Sequence, residues 1–130
     1  MVDSAIQRLL ETAIDSPIKL HLCLLFDENP RMEGSASELA NRIYRDIWST
    51  REALRELAED GVLCVSNLAS EPVYRYRPRA EHVDAIFRLA QSYNEPIERD
   101  AIQRALREVA SYATYRRAKP GGTAFEMQSI

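Results

Sequence analysis

The 130-residue sequence predicts a mainly α-helical fold that carries a small β-hairpin. Three observations lead there. Apolar residues recur at helical spacing through most of the chain. Asp15-Ser16-Pro17, Asp27-Glu28-Asn29-Pro30 and Asn94-Glu95-Pro96 cut that periodicity into helix lengths. Residues 62–66 and 73–77 switch to a period of two and are rich in β-branched and aromatic residues, with a loop at 67–72 between them.

Taken in order, residues 2–13 place Val2, Ile6, Leu9, Leu10 and Ala13 on one helical stripe. Ser16 then serves as an N-cap, and Pro17 suits a first helical position because its missing N–H would have no partner there. Residues 17–26 are apolar nearly all round, which marks a buried central helix. A polar connection, 31–34, follows it. Ser35 or Ser37 caps a third helix whose inner stripe is Leu39, Ala40 and Ile43. Tyr44-Arg45-Asp46 is the turn, and Asp46 caps a fourth helix over 47–59. Thr50, Ala53, Leu54, Leu57 and Ala58 give that helix an inward face, and Gly61 is its left-handed stop. In the hairpin, Val73, Arg75 and Arg77 share one face and Tyr74 and Tyr76 the other. A further helix to residue 93 carries Val83, Ile86, Phe87 and Ala90. Residues 97–117 form the longest periodic segment, with Ile102, Leu106, Val109 and Ala113 at the spacing of a helix–helix seam. Residues 118–130 show no pattern and are expected to be a flexible tail.

Composition narrows the function. With 45% hydrophobic and 28% charged residues, the chain has the make-up of a globular protein. It lacks any apolar run long enough for a transmembrane helix, and its N-terminus has no signal-peptide pattern, so a cytoplasmic location is expected. Cys23 and Cys64 each lie in an apolar run and read as small hydrophobes. They have no C-x-x-C spacing, and His21 and His82 stand in no ligand spacing to them, so neither a metal nor another cofactor is expected. There is no nucleophile–base set and no phosphate-binding glycine loop, which argues against an enzyme. Net charge is −3, so positive charge for a nucleic acid would have to be confined to one face.

The stretch ELANRIYRDIWSTREALRELAEDGVL resembles the helix-turn-helix core of bacterial winged-helix regulators of the MarR and ArsR type. Glu38-Leu39-Ala40, Ser49-Thr50, Leu54, Leu57 and Glu59-Asp60-Gly61-Val62 follow the pattern in order and without gaps. The YRYRP run is similar to the second wing strand of the same families. The resemblance covers residues 17–79 and leaves the flanking helices unmatched. It implies a winged helix-turn-helix core with additional N- and C-terminal helices, and a dimeric, DNA-binding transcriptional regulator. The division expected is an N-terminal helix (1–15), the winged helix-turn-helix (16–79), C-terminal helices (80–117) and the tail. Two features depart from the pattern. Tyr44 stands where a small turn residue is usual and can pack against the hydrophobic base. The wing loop, 67–72, has no basic residue.

On that reading the helix 47–59 enters the major groove of double-stranded DNA. The candidate contacts are Ser37, Arg42, Arg45, Trp48, Ser49, Arg51, Glu52, Arg55, Arg75 and Arg77. Arg51 or Arg55 would read a guanine, Ser49 a base or phosphate, and Arg42 and Arg45 would hold phosphates. Arg75 and Arg77 would follow the backbone or minor groove from the wing. Each has a blander alternative. Glu52 with Arg55 and Arg51 with Glu56 are spaced for ion pairs on a solvated helix. Arg75 and Arg77 would then protect a sheet edge. Trp48 would stack on a base or sugar, dock on a protein, or fold back onto the wing tyrosines, the arrangement the sequence favours. From residue 31 to 79, eight basic residues meet eight acidic ones, so an alternative function is a winged-helix protein-interaction module that does not bind DNA. A homodimer is expected through Ile6, Leu9, Ile102, Leu106, Val109 and Ala113, unless those stripes pack on their own core. An effector or protein partner is possible, and the sequence identifies neither.

Overall fold

In a computed structural model, residues 2–118 are described, with side chains through residue 112. Six helices are set by the breaks seen in the sequence: α1 (Ser4–Thr12), α2 (Pro17–Glu28), α3 (Ala36–Ile43), α4 (Ile47–Glu59), α5 (Ala80–Ser92) and α6 (Pro96–Ala118). Three strands complete the fold: β1 (Glu33–Ser35), β2 (Leu63–Ser66) and β3 (Val73–Tyr76). The molecule is thus mainly helical, with one small antiparallel sheet. The expected tail from residue 119 onward lies outside the described residues, and Ala118 closes α6.

The helix starts are chemically explicit. The Asp3 carboxylate accepts from the Ala5 N–H at 2.7 Å, and the Ser16 hydroxyl from Lys19 N–H at 3.3 Å. Ser35, not Ser37, caps α3, in a reciprocal box: its hydroxyl accepts from Glu38 N–H while the Glu38 carboxylate accepts from Ser35 N–H. The Asp46 carboxylate accepts from Ser49 N–H at 2.7 Å and opens α4. These bonds hold the Asp3 and Asp46 carboxyls below the ordinary carboxylate value. Gly61, at φ +86°, reverses the chain after α4. Arg79 and His82 then tie the start of α5 to the end of α4. The Arg79 guanidinium donates to the Glu59 carbonyl at 3.3 Å, and His82 Nε2 lies 2.8 Å from the Asp60 carbonyl oxygen.

The sheet has one strand more than the hairpin expected from the sequence. Its order is β1-β3-β2, with Glu33, Gly34 and Ser35 opposite Arg75, Tyr74 and Val73. Glu-Gly-Ser has neither length nor alternation to announce a strand; it pairs through its backbone because the chain leaving α2 runs along β3 before α3 begins. Tyr74 and Tyr76 point toward the helices. Tyr74 is buried, and Tyr76 stacks on Phe26 with ring centroids 6.1 Å apart and donates to the Asp27 carboxylate at 3.2 Å. Burial of that hydroxyl pushes its pKa up.

One core joins everything. Phe26 and Leu22 of α2, Leu54 and Leu57 of α4, Leu10 of α1, Ile14, and Ile86 and Leu89 of α5 are fully enclosed. Helix α1 packs on both α5 and α6. This corrects the expected dimer surface. Ile6, Leu9, Ile102, Leu106 and Val109 are each no more than 3% exposed within a single chain. The terminal helices cover one another, so these stripes are already occupied. The side chain of Ala113, the sixth residue of that set, lies outside the described residues.

Candidate nucleic-acid interface

The turn between α3 and α4 is tight because Tyr44 adopts the left-handed conformation, φ 58° and ψ 45°. Its N–H bonds the Ala40 carbonyl, as does that of Arg45, and two residues later Asp46 starts α4. A tyrosine therefore occupies the conformation that a glycine would take at no steric cost, about 1 kcal/mol less favourable for a residue with a Cβ. Its ring does not pack against the core as the sequence suggested: Tyr44 is 93% exposed. The turn conformation directs it outward.

The first turn of α4 is the most exposed part of that helix. Thr50 is buried and donates its hydroxyl to the Asp46 carbonyl at 2.8 Å. Trp48, Ser49 and Arg51 lie on the solvent side. Trp48 is 73% exposed and does not fold back onto the wing tyrosines, because Tyr74 and Tyr76 are spent on the helical core. Its partner is Arg51, one turn on, whose guanidinium carbon sits 5.2 Å from the indole centroid. Beside the indole a cleft of about 560 Å³ opens, lined in part by Ser16, Ile18, Ser49, Glu52 and Ala110.

The arginines divide into two groups. Arg55 is held by acids of its own helix: it bonds Glu52 and Glu59, and Glu56 lies 3.7 Å away. The Arg55–Glu52 contact lowers the Glu52 pKa and raises that of Arg55. The expected Arg51–Glu56 pair does not form. Glu56 instead meets Lys19 at 2.5 Å, and Lys19 also bonds Asp15 at 2.6 Å. By contrast, Arg42, Arg45 and Arg51 are exposed and make no ion pair among the described residues.

Other candidates fall away from this cluster. Ser37 is half-buried and donates to the Glu71 carboxylate at 3.4 Å, linking α3 to the hairpin loop. Glu52 is engaged by Arg55. Arg75 and Arg77 alternate with Tyr74 and Tyr76, so they lie on the sheet face turned away from the helices and do not join the α4 arginines. At the start of α4 this leaves Arg45, Trp48, Ser49 and Arg51, with Tyr44 added, while Arg42 of α3 lines a separate cleft with Asn29, Pro30, Arg31 and Met32.

Lys19 was not singled out by the sequence, where it sat in a helix apolar nearly all round. It is 3% exposed, joins α2 to the middle of α4 through Glu56, and also meets Asp15 just before α2. The Asp15/Lys19 spacing of four was its only signal. Cys23 is buried, and burial pushes its thiol up to about 12, with Asp27 adding to the effect. Cys64 is half-buried, and both are free thiols. No group of three or more metal-ligating side chains occurs among the described residues, nor is any helix there long and apolar enough to cross a membrane.

No family model, curated protein or solved structure matches the chain.

Proposed function

We propose that residues 16–79 are a winged helix-turn-helix and that the protein is a sequence-specific DNA-binding transcriptional regulator acting as a homodimer. The observation that carries this reading is the sorting of charge along α4. The acids of its later turns engage Arg55, while Arg45 and Arg51, before and within its exposed first turn, and Arg42 at the end of α3 meet no carboxylate among the described residues. That is the end of the helix that contacts bases when a helix of this kind enters the major groove. The element order and the β1-β3-β2 sheet support the fold assignment.

In this reading Arg51 and Ser49 contact base edges, and Arg42 and Arg45 hold phosphates. The wing contributes little, since its loop has no cation and Arg75 and Arg77 point elsewhere. Pairing uses the outer face of α5, where Val83 and Phe87 are 52% and 58% exposed. Asp84 and Arg88 beside them pair with each other within one chain, and Arg88 also meets Asp3, which leaves Val83 and Phe87 as the apolar surface that two copies of α5 would share. Binding to short duplexes at low salt, with Arg51→Glu as the contrast, tests the assignment. The wild type binds, and the variant loses at least tenfold in affinity while its circular dichroism is unchanged.

A protein-interaction module is the second reading. The exposure of Tyr44, Trp48 and Leu68 favours it, since large apolar side chains in water often mark protein contacts. Failure of any duplex to bind at low salt would select it.

A further inference from the structure

The geometry points to Trp48 as a stacking platform for a nucleobase lifted out of the DNA stack, an inference that rests on the DNA-binding reading above. Three features carry it. The indole is 73% exposed, and no side chain but Arg51 is stacked on it among the described residues. Tyr44, 93% exposed, stands four residues earlier on a turn whose backbone directs it into solvent. Both rings are interleaved with Arg42, Arg45 and Arg51, all exposed. Two water-facing aromatics among cations fit a ligand that is flat, apolar on its faces and anionic along its backbone. A nucleic acid has all three properties, and base–aromatic stacking tolerates any base because every base has a π-face.

A fully stacked duplex buries its base faces, so Trp48 gains nothing from them. An unpaired or unstacked base offers one. The cleft of about 560 Å³ beside the indole is large enough to admit a base, while Asp15, Glu52 and Glu56 in its lining keep the phosphates outside it. Arg51 then leaves the indole for a base edge, the role it has in the reading above, and frees the ring face for the displaced base. The substrate class is therefore DNA with a locally opened step, held by Arg42 and Arg45 on its phosphates and by Trp48 on a displaced base.

Trp48 is the sole tryptophan of the chain, so intrinsic fluorescence reads this site directly. The experiment uses the full chain, a short perfect duplex, and the same duplex with a central bulge of unpaired bases, both at low salt. The expected result is about tenfold tighter binding of the bulged duplex, with quenched emission on binding. Trp48→Ala should abolish that preference and Trp48→Phe keep part of it. Loss of an exposed ring leaves the core intact, so both variants should retain the wild-type circular dichroism. Equal binding of the two duplexes with unchanged emission would overturn the stacking inference and leave the DNA-binding reading standing. No binding of either duplex would overturn both. A blue shift of Trp48 emission on raising protein concentration without DNA would place the ring in a protein contact and also overturn the inference.

Discussion

Lys19 shows how much one side chain can organise. Burying an ammonium is costly unless carboxylates meet it, and here Asp15 and Glu56 do so at 2.6 and 2.5 Å. The triad ties the first turn of α2 to the middle of α4 and so helps fix the angle at which α4 presents Trp48 and Arg51. Replacing Lys19 by Met removes the cation that the two carboxylates share. The expected loss is about 3–5 kcal/mol of folding stability, measured by urea unfolding. Asp46 acts at the same scale with a pH signature. Its folded pKa is lowered from the ordinary 3.8, chiefly by the Ser49 N–H, so its charge favours the folded state. That contribution is fully present above the ordinary value and is lost as the pH falls through the lower folded one. Wild type should therefore exceed Asp46→Asn in melting temperature at neutral pH, and the two should converge in acid below pH 3.8.

At the scale of elements, the turn between α3 and α4 is the informative piece. Tyr44 holds a left-handed conformation and buries almost nothing, so its ring contributes little to the core. Tyr44→Gly should stabilise the fold by about 0.5–1 kcal/mol in chemical denaturation. It should also weaken binding of bulged DNA if the ring assists Trp48. This turn marks the limit of what could be read from the sequence. Ser16, Asp46 and Gly61 were legible because caps and stops are local chemistry, written within four residues. The inward stripe of α4 was legible for the same reason. Tyr44 was not, because the outward direction of its ring is set by a backbone conformation that tyrosine rarely takes. Strand β1 was not legible either, since three residues with no alternation are recruited by β3 from a distance. At the candidate site, residue type pointed to the arginines, but which of them would be neutralised depended on where Glu52, Glu56 and Glu59 turned.

For the whole molecule, periodicity located the stripes on α1 and α6 but not their cover. An apolar stripe looks the same whether its partner is a second copy or the chain's own other end. Here α1 packs on both α5 and α6, and Val83 and Phe87 remain outside. A dimer built on them should dissociate when Phe87 is changed to Glu. Sedimentation of that variant is expected to give a monomer with unaltered helicity where the wild type gives a dimer. Under the proposed pairing, the two α4 helices would have to lie about one DNA turn apart, about 34 Å, for both to enter the same face of the duplex.

Salt dependence of duplex binding tests whether Arg42, Arg45 and Arg51 face DNA. Arg42 and Arg45, which meet no carboxylate among the described residues and hold phosphates in this reading, imply a slope of log affinity on log salt of about −2 per protomer. Arg51→Glu and Arg45→Glu should remove most of the binding and flatten the slope, whereas Arg75→Glu and Arg77→Glu, on the opposite sheet face, should leave both nearly unchanged. Absence of binding at low salt, or equal losses from all four substitutions, would contradict the account.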